Sequence, residues 1–274
     1  MRIVILSSSL YSETACAMAV RMVEVAHAPV GALVLSTLNR ATVLRKLGQW
    51  GAREVVRYAR EKLLPRNGDA NLSASNSYLE PLLKHESGTY RSLIEVAAVY
   101  GFPVAVCDDQ NASDSIARLK EWAPDLIIFS GGNILRQQLL ATPRLGVLNV
   151  HLGLLPEIRG MSSPEWSLLQ GVPVGITIHY MDAGIDTGPI LRRYEIPNAA
   201  QSRSLADLRN RLIAFGVEKT GGVVEEMIRG TISAAPQSEF EKDNQFFVMH
   251  EWLQARAAAR LSDRAAPAAV PVQG

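Results

Sequence analysis

Residues 125–151 decide the fold and read DLIIFSGGNILRQQLLATPRLGVLNVH. Two apolar runs, at 125–130 and 146–151, enclose a leucine-rich stretch at 135–140 that is typical of a short helix. Apolar runs without alternating polar residues are typical of strands covered on both faces, as in a parallel sheet. The stretch therefore predicts a strand, a helix and a second strand parallel to the first.

The same alternation continues on both sides of this stretch. Further strands are predicted at 2–8, 31–37, 103–107, 176–181 and 189–196, and helices at 13–26, 43–63, 91–100, 115–122 and 205–229. Because strands alternate with helices, we predict an α/β protein with an open, mostly parallel sheet and helices on both faces. Segment 67–80, rich in Asn, Ser and Gly, is predicted to be a surface loop.

The pattern changes after residue 236. A polar link leads to a basic, alanine-rich helix at 251–261, and the last residues are predicted to be disordered. We therefore expect a main domain at 1–200, a short, mainly helical C-terminal extension at 201–262 and a disordered tail at 263–274.

Composition excludes several classes of protein. The chain has 274 residues, of which 47% are hydrophobic, so it is long and apolar enough for a folded core. Its 28 Lys and Arg nearly balance 27 Asp and Glu, giving a net charge of +1, so we expect no nucleic-acid partner. The apolar run at the N-terminus is too short for a signal peptide or a membrane span, which predicts a cytoplasmic protein without membrane contact.

Common cofactor and metal motifs are missing from the sequence. The first strand runs into SSSLYS at 7–12, which lacks the glycines of a dinucleotide-binding turn, and no P-loop motif occurs. Cys16 and Cys107 do not form a CxxC pair, so we predict neither a metal site nor a disulfide framework.

Three polar residues lie at positions where a chemical role explains a polar side chain better than packing does. Asn149 and His151 lie two apart on a predicted strand and therefore share a face near the end where open α/β sheets bind ligands. Asp186 lies in the glycine-bearing loop DAGIDTG at 182–188, and a carboxylate beside an imidazole fixes its tautomer and orientation. Taken singly, these residues could equally complete turns, and Arg159 is either a solvated loop charge or a clamp for a carboxylate or phosphate.

The combination is more specific than its parts. NVHLGLLP at 149–156, Arg159-Gly160, GITIH at 175–179 and DAGIDTG at 182–188 closely resemble the formyltransferases that use 10-formyltetrahydrofolate. The resemblance is strongest over residues 125–196 and implies that the domain at 1–200 is a Rossmann-like catalytic domain. It also implies that the chain is an enzyme whose formyl donor is 10-formyltetrahydrofolate.

The resemblance assigns the residues of the site. It implies that the amide of Asn149 and a cationic His151 donate to the oxyanion formed when an amine attacks the formyl carbon. Asp186 would hold His151 in place and assist proton transfer, whereas His179 is predicted to be structural. The implied donor-binding residues are Gly132, Asn133, Ile134, Leu135, Asp182, Ala183, Gly184 and Ile185, and the acceptor-binding residues are Arg159, Gly160 and Met161.

The sequence leaves the acceptor open. A neutral chain fits tRNA poorly, and the helical extension is unlike the C-terminal β-barrel of methionyl-tRNA enzymes, so we predict a small primary amine such as a nucleotide-linked amino sugar. Alternatives are a methionyl-tRNA acceptor, a non-catalytic folate- or nucleotide-binding module, and a zinc hydrolase built on His151, His179 and Asp186. Hydrolysis of 10-formyltetrahydrofolate ranks second, because the dedicated hydrolases carry an extra N-terminal domain and this chain starts at the first strand. The oligomeric state, a homodimer included, also stays open.

Overall fold

The computed structural model describes residues 1–36, 76–86, 88–237 and 245–265. The predicted helix at 43–63 and most of the predicted loop at 67–80 lie outside these ranges. In the described part of that loop, residues 76–79 form coil and turn, and Glu80 begins a short helix.

The elements follow the predicted order. The strands are β1 (Ile3–Ser7), β2 (Gly31–Leu35), β3 (Lys84–His85), β4 (Gly88–Thr89), β5 (Val104–Cys107), β6 (Leu126–Ser130), β7 (Gly146–His151), β8 (Arg159–Gly160), β9 (Gly175–Tyr180), β10 (Ile190–Glu195) and β11 (Gln245–Phe246). The helices are α1 (Glu13–Val25), α2 (Glu80–Leu83), α3 (Leu93–Tyr100), α4 (Ser113–Trp122), α5 (Gln137–Leu140), α6 (Ser163–Gln170), α7 (Leu205–Arg229) and α8 (Glu251–Ala265). The helices α2 and α6 and the short strands β3, β4, β8 and β11 were not predicted from the sequence.

The main sheet confirms the predicted fold class. Its strands are hydrogen-bonded in the order β10-β9-β7-β6-β1-β2-β5. The strands from β7 to β5 run parallel, whereas β10 is antiparallel to β9. From β1 the chain moves outward to β2 and β5 and then returns to β6 on the other side, which is the switch point where open α/β sheets bind ligands.

The described chain comprises two compact units. One contains Met1–Asn149 and Gly221–Thr231, and the other contains Val150–Thr220 and the residues from Ile232 onward. Helix α7 contributes to both units. The domain division predicted at residue 200 stays a prediction.

The first unit is organised around β1. Four consecutive residues of that strand, Ile3 to Leu6, are fully buried, which is the burial predicted for a central strand of a parallel sheet. Helix α1 contacts β1, and Ser12 caps its N-terminus by accepting a hydrogen bond from the backbone N–H of Ala15 at 3.2 Å.

The core of the second unit holds the C-terminal helix in place. Ala257 and Leu261 of α8 are buried with Leu168 of α6 and Leu212 of α7. These two residues of α8 are four apart, so they form one apolar stripe that packs on this chain. The helix continues to Ala265, beyond the predicted end at 261, because neither glycine nor proline interrupts it there.

Candidate active site

His151 ends β7 and is buried, with 6% of its surface exposed. Its Nδ1 atom lies 3.3 Å from Oδ2 of Asp186, and its Nε2 atom lies 2.7 Å from the carbonyl oxygen of Ile158. The hydroxyl of Ser163, the first residue of α6, lies 3.3 Å from the same Nε2. The structure therefore brings together the His151 and Asp186 side chains that the sequence analysis assigned to one site.

Asp186 is held in an unusual backbone conformation. Its φ angle is 54°, in the left-handed region that Asp and Asn adopt more readily than other non-glycine residues. The backbone N–H of Gly160 donates to its Oδ2 at 3.1 Å, and the side-chain amide of Gln237 donates to its backbone carbonyl at 2.9 Å. Two separate segments of the second unit thus hold Asp186, one through its carboxylate and the other through its backbone carbonyl.

His179, predicted to be structural, lies on the other side of the same carboxylate. Its Nε2 atom is 3.7 Å from Oδ1 of Asp186, and it is 1% exposed. Its Nδ1 atom lies 2.8 Å from the carbonyl oxygen of Tyr180. The two histidines contact opposite oxygens of Asp186, and no group of His, Cys, Asp or Glu in the described ranges is arranged to hold a metal ion.

Burial and charge act in opposite directions on this cluster. Burial lowers the pKa of His151, against the neighbouring Asp186 carboxylate, which favours the charged ring. Burial raises the pKa of Asp186, but the hydrogen bond from His179, the two histidines and the N–H of Gly160 outweigh it, so this pKa lies below its usual range. Asp186 is therefore ionised at neutral pH, and the fold favours a neutral His151.

Both ring nitrogens of His151 face oxygen atoms that accept hydrogen bonds. A neutral imidazole carries one N–H and can satisfy only one of these contacts, whereas an imidazolium donates to both. Ile158 and Asp186 therefore stabilise the ring once it has taken up a second proton. This arrangement suits a residue that accepts a proton during a reaction and holds it beside a carboxylate.

The lowered pKa values predict that the protein becomes less stable on acidification. The unfolded chain protonates His151 near pH 6.5 and the folded chain only at lower pH, so the free energy of unfolding falls as pH drops below 6.5. Asp186 adds to the loss in a lower window, below its unfolded pKa of about 3.9. Urea unfolding between pH 7.5 and 5 should show this decline, and His151→Gln should flatten it. His27→Gln, at an exposed position, is the matched control and should keep the decline; a wild-type curve without slope would contradict the expectation.

Asn149 lies on β7 two residues before His151. It is partly buried and stands in register with Phe129 of β6. Because strand side chains alternate, it projects to the same side of the strand as His151. Its assignment as an oxyanion donor stays a prediction.

The predicted donor-binding stretch forms the loop after β6, in the first unit. The backbone N–H of Asn133 donates to the side-chain carbonyl of the fully buried Gln110 at 3.1 Å, and Asn111 donates to the carbonyl of Ile134 at 3.0 Å. The φ angle of Gly132 is 155°, which residues with a Cβ atom rarely adopt, and a Cβ atom there would lie 2.0 Å from Oε1 of Gln110, so both features favour glycine. Leu135 is buried and Ile134 is 83% exposed, which leaves Ile134 free to contact a ligand.

The other predicted donor-binding residues belong to the second unit. Asp182, Ala183, Gly184 and Ile185 are exposed in the loop between β9 and β10. The Asp182 carboxylate accepts hydrogen bonds from the backbone N–H of Gly184 and the hydroxyl of Thr187. The loop thus has internal order while its surface stays accessible.

The three predicted acceptor-binding residues differ in exposure. Arg159 is buried, at 4% exposed, which excludes the solvated loop charge that the sequence left open. Met161 is 59% exposed. Arg159 and Gly160 form β8, which pairs in parallel with β11 and so ties this segment to the chain beyond residue 244.

A model of the family described as Formyl transferase matches residues 70–220, more than half of the chain and including His151, His179 and Asp186. The chain belongs to the formyl transferase family. This membership confirms the resemblance identified from the sequence.

The curated relatives of this formyl transferase family member match only part of its chain and part of their own. The methionyl-tRNA formyltransferase of Geobacter metallireducens is 34% identical over 146 residues, which cover 53% of this chain and 47% of that protein. The chain thus spans about half the length of the curated relatives it matches.

Solved structures share the fold at low identity. Glycinamide ribonucleotide transformylase 1 of Symbiobacterium toebii has a TM-score of 0.54 at 17% identity, with 84% of this chain and 89% of that chain covered. An N-formyltransferase of Helicobacter canadensis, solved with folinic acid and dTDP-3-aminofucose, has a TM-score of 0.54 at 14% identity, with 96% and 80% covered. These likenesses support the fold alone.

Several site residues of this formyl transferase family member escaped the sequence analysis. Ser163 beside His151, and Gln110 and Gln237 in the loops, are reached only through tertiary contacts. A helix-start signal could have located Ser163, since it precedes Pro164 and Glu165. No pattern marks the two glutamines.

Among the described residues, no helix combines the length and hydropathy needed to cross a bilayer.

Gly160 offers a test of the pairing between β8 and β11. Its φ angle is 98°, and a Cβ atom there would lie 2.2 Å from the carbonyl oxygen of Phe246. Gly160→Ala should therefore destabilise the protein by at least about 2 kcal/mol, through backbone strain and loss of the β8–β11 pairing. The matched control is Gly171→Ala, at φ 73° with no atom near its Cβ, which should cost only the strain of about 1–2 kcal/mol. Equal thermal unfolding midpoints for the two variants would refute the clash.

Proposed function

We propose that this chain transfers a formyl group from 10-formyltetrahydrofolate to a primary amine of a small acceptor. The observation that carries the proposal is the buried contact between His151 and Asp186 at 3.3 Å, within a segment that matches the formyl transferase family. A buried imidazole beside an ionised carboxylate is suited to accept and release one proton.

The proposed reaction needs one bond formed, one bond broken and one proton moved. The acceptor nitrogen attacks the formyl carbon, and the bond between that carbon and N10 of the folate breaks. The proton leaves the acceptor nitrogen and reaches N10. The neutral His151, directly or through water, takes this proton and holds it as an imidazolium between Ile158 and Asp186. No covalent enzyme intermediate is required.

The developing negative charge needs its own donor. We assign this role to the amide of Asn149, because it shares a strand face with His151 and carries N–H groups. Removing one such donor in comparable acyl-transfer sites costs about 2.7–4 kcal/mol of transition-state stabilisation. His151 has no donor role toward the oxyanion in this proposal, because both of its ring nitrogens face Ile158 and Asp186.

The residues proposed to bind the donor are of types that can contact a folate. In the first unit, Ile134 offers an exposed apolar side chain. In the second unit, Ile185 offers another, within a loop at 182–185 whose residues are all exposed. Folate supplies the activated formyl group, and the residues of this chain supply orientation and proton transfer.

The acceptor that we favour is a nucleotide-linked amino sugar. The net charge of +1 is low for a tRNA-binding protein, which would need a strong positive field. The Helicobacter canadensis protein of the same fold was solved with an amino-sugar nucleotide. The second candidate acceptor is methionyl-tRNA, because the curated relatives at 34% and 33% identity are methionyl-tRNA formyltransferases.

An acceptor screen tests this proposal. Purified full-length protein is incubated with 10-formyltetrahydrofolate and, separately, with amino-sugar nucleotides, methionyl-tRNA, glycinamide ribonucleotide or no amine. We expect an amino-sugar nucleotide to gain one formyl group by mass spectrometry, with an equal amount of tetrahydrofolate released. Formylation confined to methionyl-tRNA would contradict the acceptor. Folate release at the same rate without amine would establish hydrolysis instead.

A further inference from the structure

A cavity outside the His151 cluster lies between α6 and α8 in the second unit. Its volume is about 390 Å³, which is in the range of small-ligand sites. Trp166, Leu169 and Leu253 form an apolar wall, and Arg256, Arg260 and Asp263 contribute charged groups. The cavity therefore combines an apolar surface with two cations and one carboxylate.

The two arginines are placed to bind an anion. Arg256 and Arg260 are four residues apart on α8, so both guanidinium groups project from one exposed face. The Arg256 guanidinium lies 4.9 Å from the centre of the Trp252 ring, which holds it in place. Among the residues that the structure describes, neither arginine forms an ion pair. Their charges are thus available to a ligand.

Helix α6 connects this cavity to the His151 cluster. Ser163 contacts His151, and Trp166, three residues later on the same face of the helix, lines the cavity. One helical turn rises about 5.4 Å, so the cavity begins roughly one turn from the histidine contact. Among the α6 residues that line the cavity, Trp166 is the nearest in sequence to Ser163.

We infer that this cavity binds a nucleoside diphosphate, the part of an amino-sugar nucleotide that carries the sugar. This inference rests on the proposed function and names the subsite of its acceptor. Each guanidinium group can donate two parallel hydrogen bonds to the oxygens of one phosphate. Two arginines one helical turn apart can therefore bind two adjacent phosphates. The wall of Trp166, Leu169 and Leu253 can cover a planar base, and the Asp263 carboxylate can accept hydrogen bonds from ribose hydroxyls.

Calorimetric titration of the full chain with UDP, without folate, tests the inference. We expect UDP to bind, and Arg256→Gln or Arg260→Gln to weaken its binding at least 10-fold. Uridine and inorganic pyrophosphate, each offering only half of the contacts, should bind at least 10-fold more weakly than UDP. Arg118→Gln, at an exposed position of α4, is the matched control and should bind like the wild type. Because an arginine variant could unfold α8, wild-type affinity is also measured from 50 to 500 mM NaCl and should fall steadily.

Several outcomes would overturn the inference. These are UDP affinity unchanged in both arginine variants, no UDP binding at 1 mM, salt-independent binding, or pyrophosphate binding as tightly as UDP. His151→Gln should bind UDP like the wild type, because His151 lies outside the cavity. If UDP binding depends on the arginines but no amino-sugar nucleotide is formylated, the cavity binds a nucleoside diphosphate and the proposed acceptor is wrong. If an amino-sugar nucleotide is formylated equally well by Arg260→Gln, the proposed function holds and the cavity is not the subsite of the acceptor.

Discussion

His151→Gln is expected to lower kcat/KM for formyl transfer at least about 100-fold while leaving the protein folded. Glutamine can replace the contact to Ile158 but cannot take up the proton that leaves the acceptor amine. The loss should appear mainly in kcat, because the buried ring has little surface to offer a ligand. Steady-state kinetics with the acceptor found by the screen measures the effect.

Two controls make this result specific. His27→Gln, at an exposed position, should retain wild-type kinetics. Asn149→Ala should also lose at least about 100-fold, because it removes an oxyanion donor rather than a proton acceptor. Only His151→Gln should abolish the acid limb of the pH–rate profile, since that limb reports the protonation of His151. Full activity in His151→Gln, with an unchanged unfolding midpoint, would remove His151 from the mechanism.

Local sequence patterns predicted the secondary structure well. β7 and α7 have the predicted bounds, because one is a short, mostly apolar run in which only Asn149 and the final His151 are polar, and the other carries a long helical periodicity. Gly216 and Gly221 weaken the helix propensity of α7 but do not end it, since packing overrides propensity. At Gly216, a Cβ atom would lie 2.7 Å from Val150 of β7, so the glycine permits close packing.

Contacts between distant segments were beyond such patterns. β8 and β11 are two residues each and pair across a long stretch of chain, so neither has enough length for a periodic signal. Arg159 lies in β8 and is buried, although its neighbours in sequence carry no pattern that predicts its burial. The placement of His179 against Asp186 likewise depends on the return of the chain from β9 to β10. Sequence could identify the reactive residue types, but only the fold determines which oxygen each one contacts.

Asp186→Asn isolates the charge of the carboxylate from its position. Asparagine tolerates the left-handed φ of 54°, and the N–H of Gly160 requires an oxygen at the Oδ2 position. The amide oxygen should therefore stay next to Gly160 and His151, while the amide nitrogen replaces the oxygen that faces His179. The variant keeps the geometry and loses the negative charge.

This loss should lower kcat at least about 100-fold with a smaller change in KM, because the imidazolium formed during the reaction no longer has an ionised partner. The carboxylate raises the pKa of His151, so its removal should also shift the acid limb of the pH–rate profile to lower pH. A role in positioning alone would leave that limb where it is, because the retained oxygen still orients the ring. A kcat near that of the wild type with an unshifted limb would therefore assign Asp186 to orientation, and only the two changes together support its role as the counter-ion of a protonated His151.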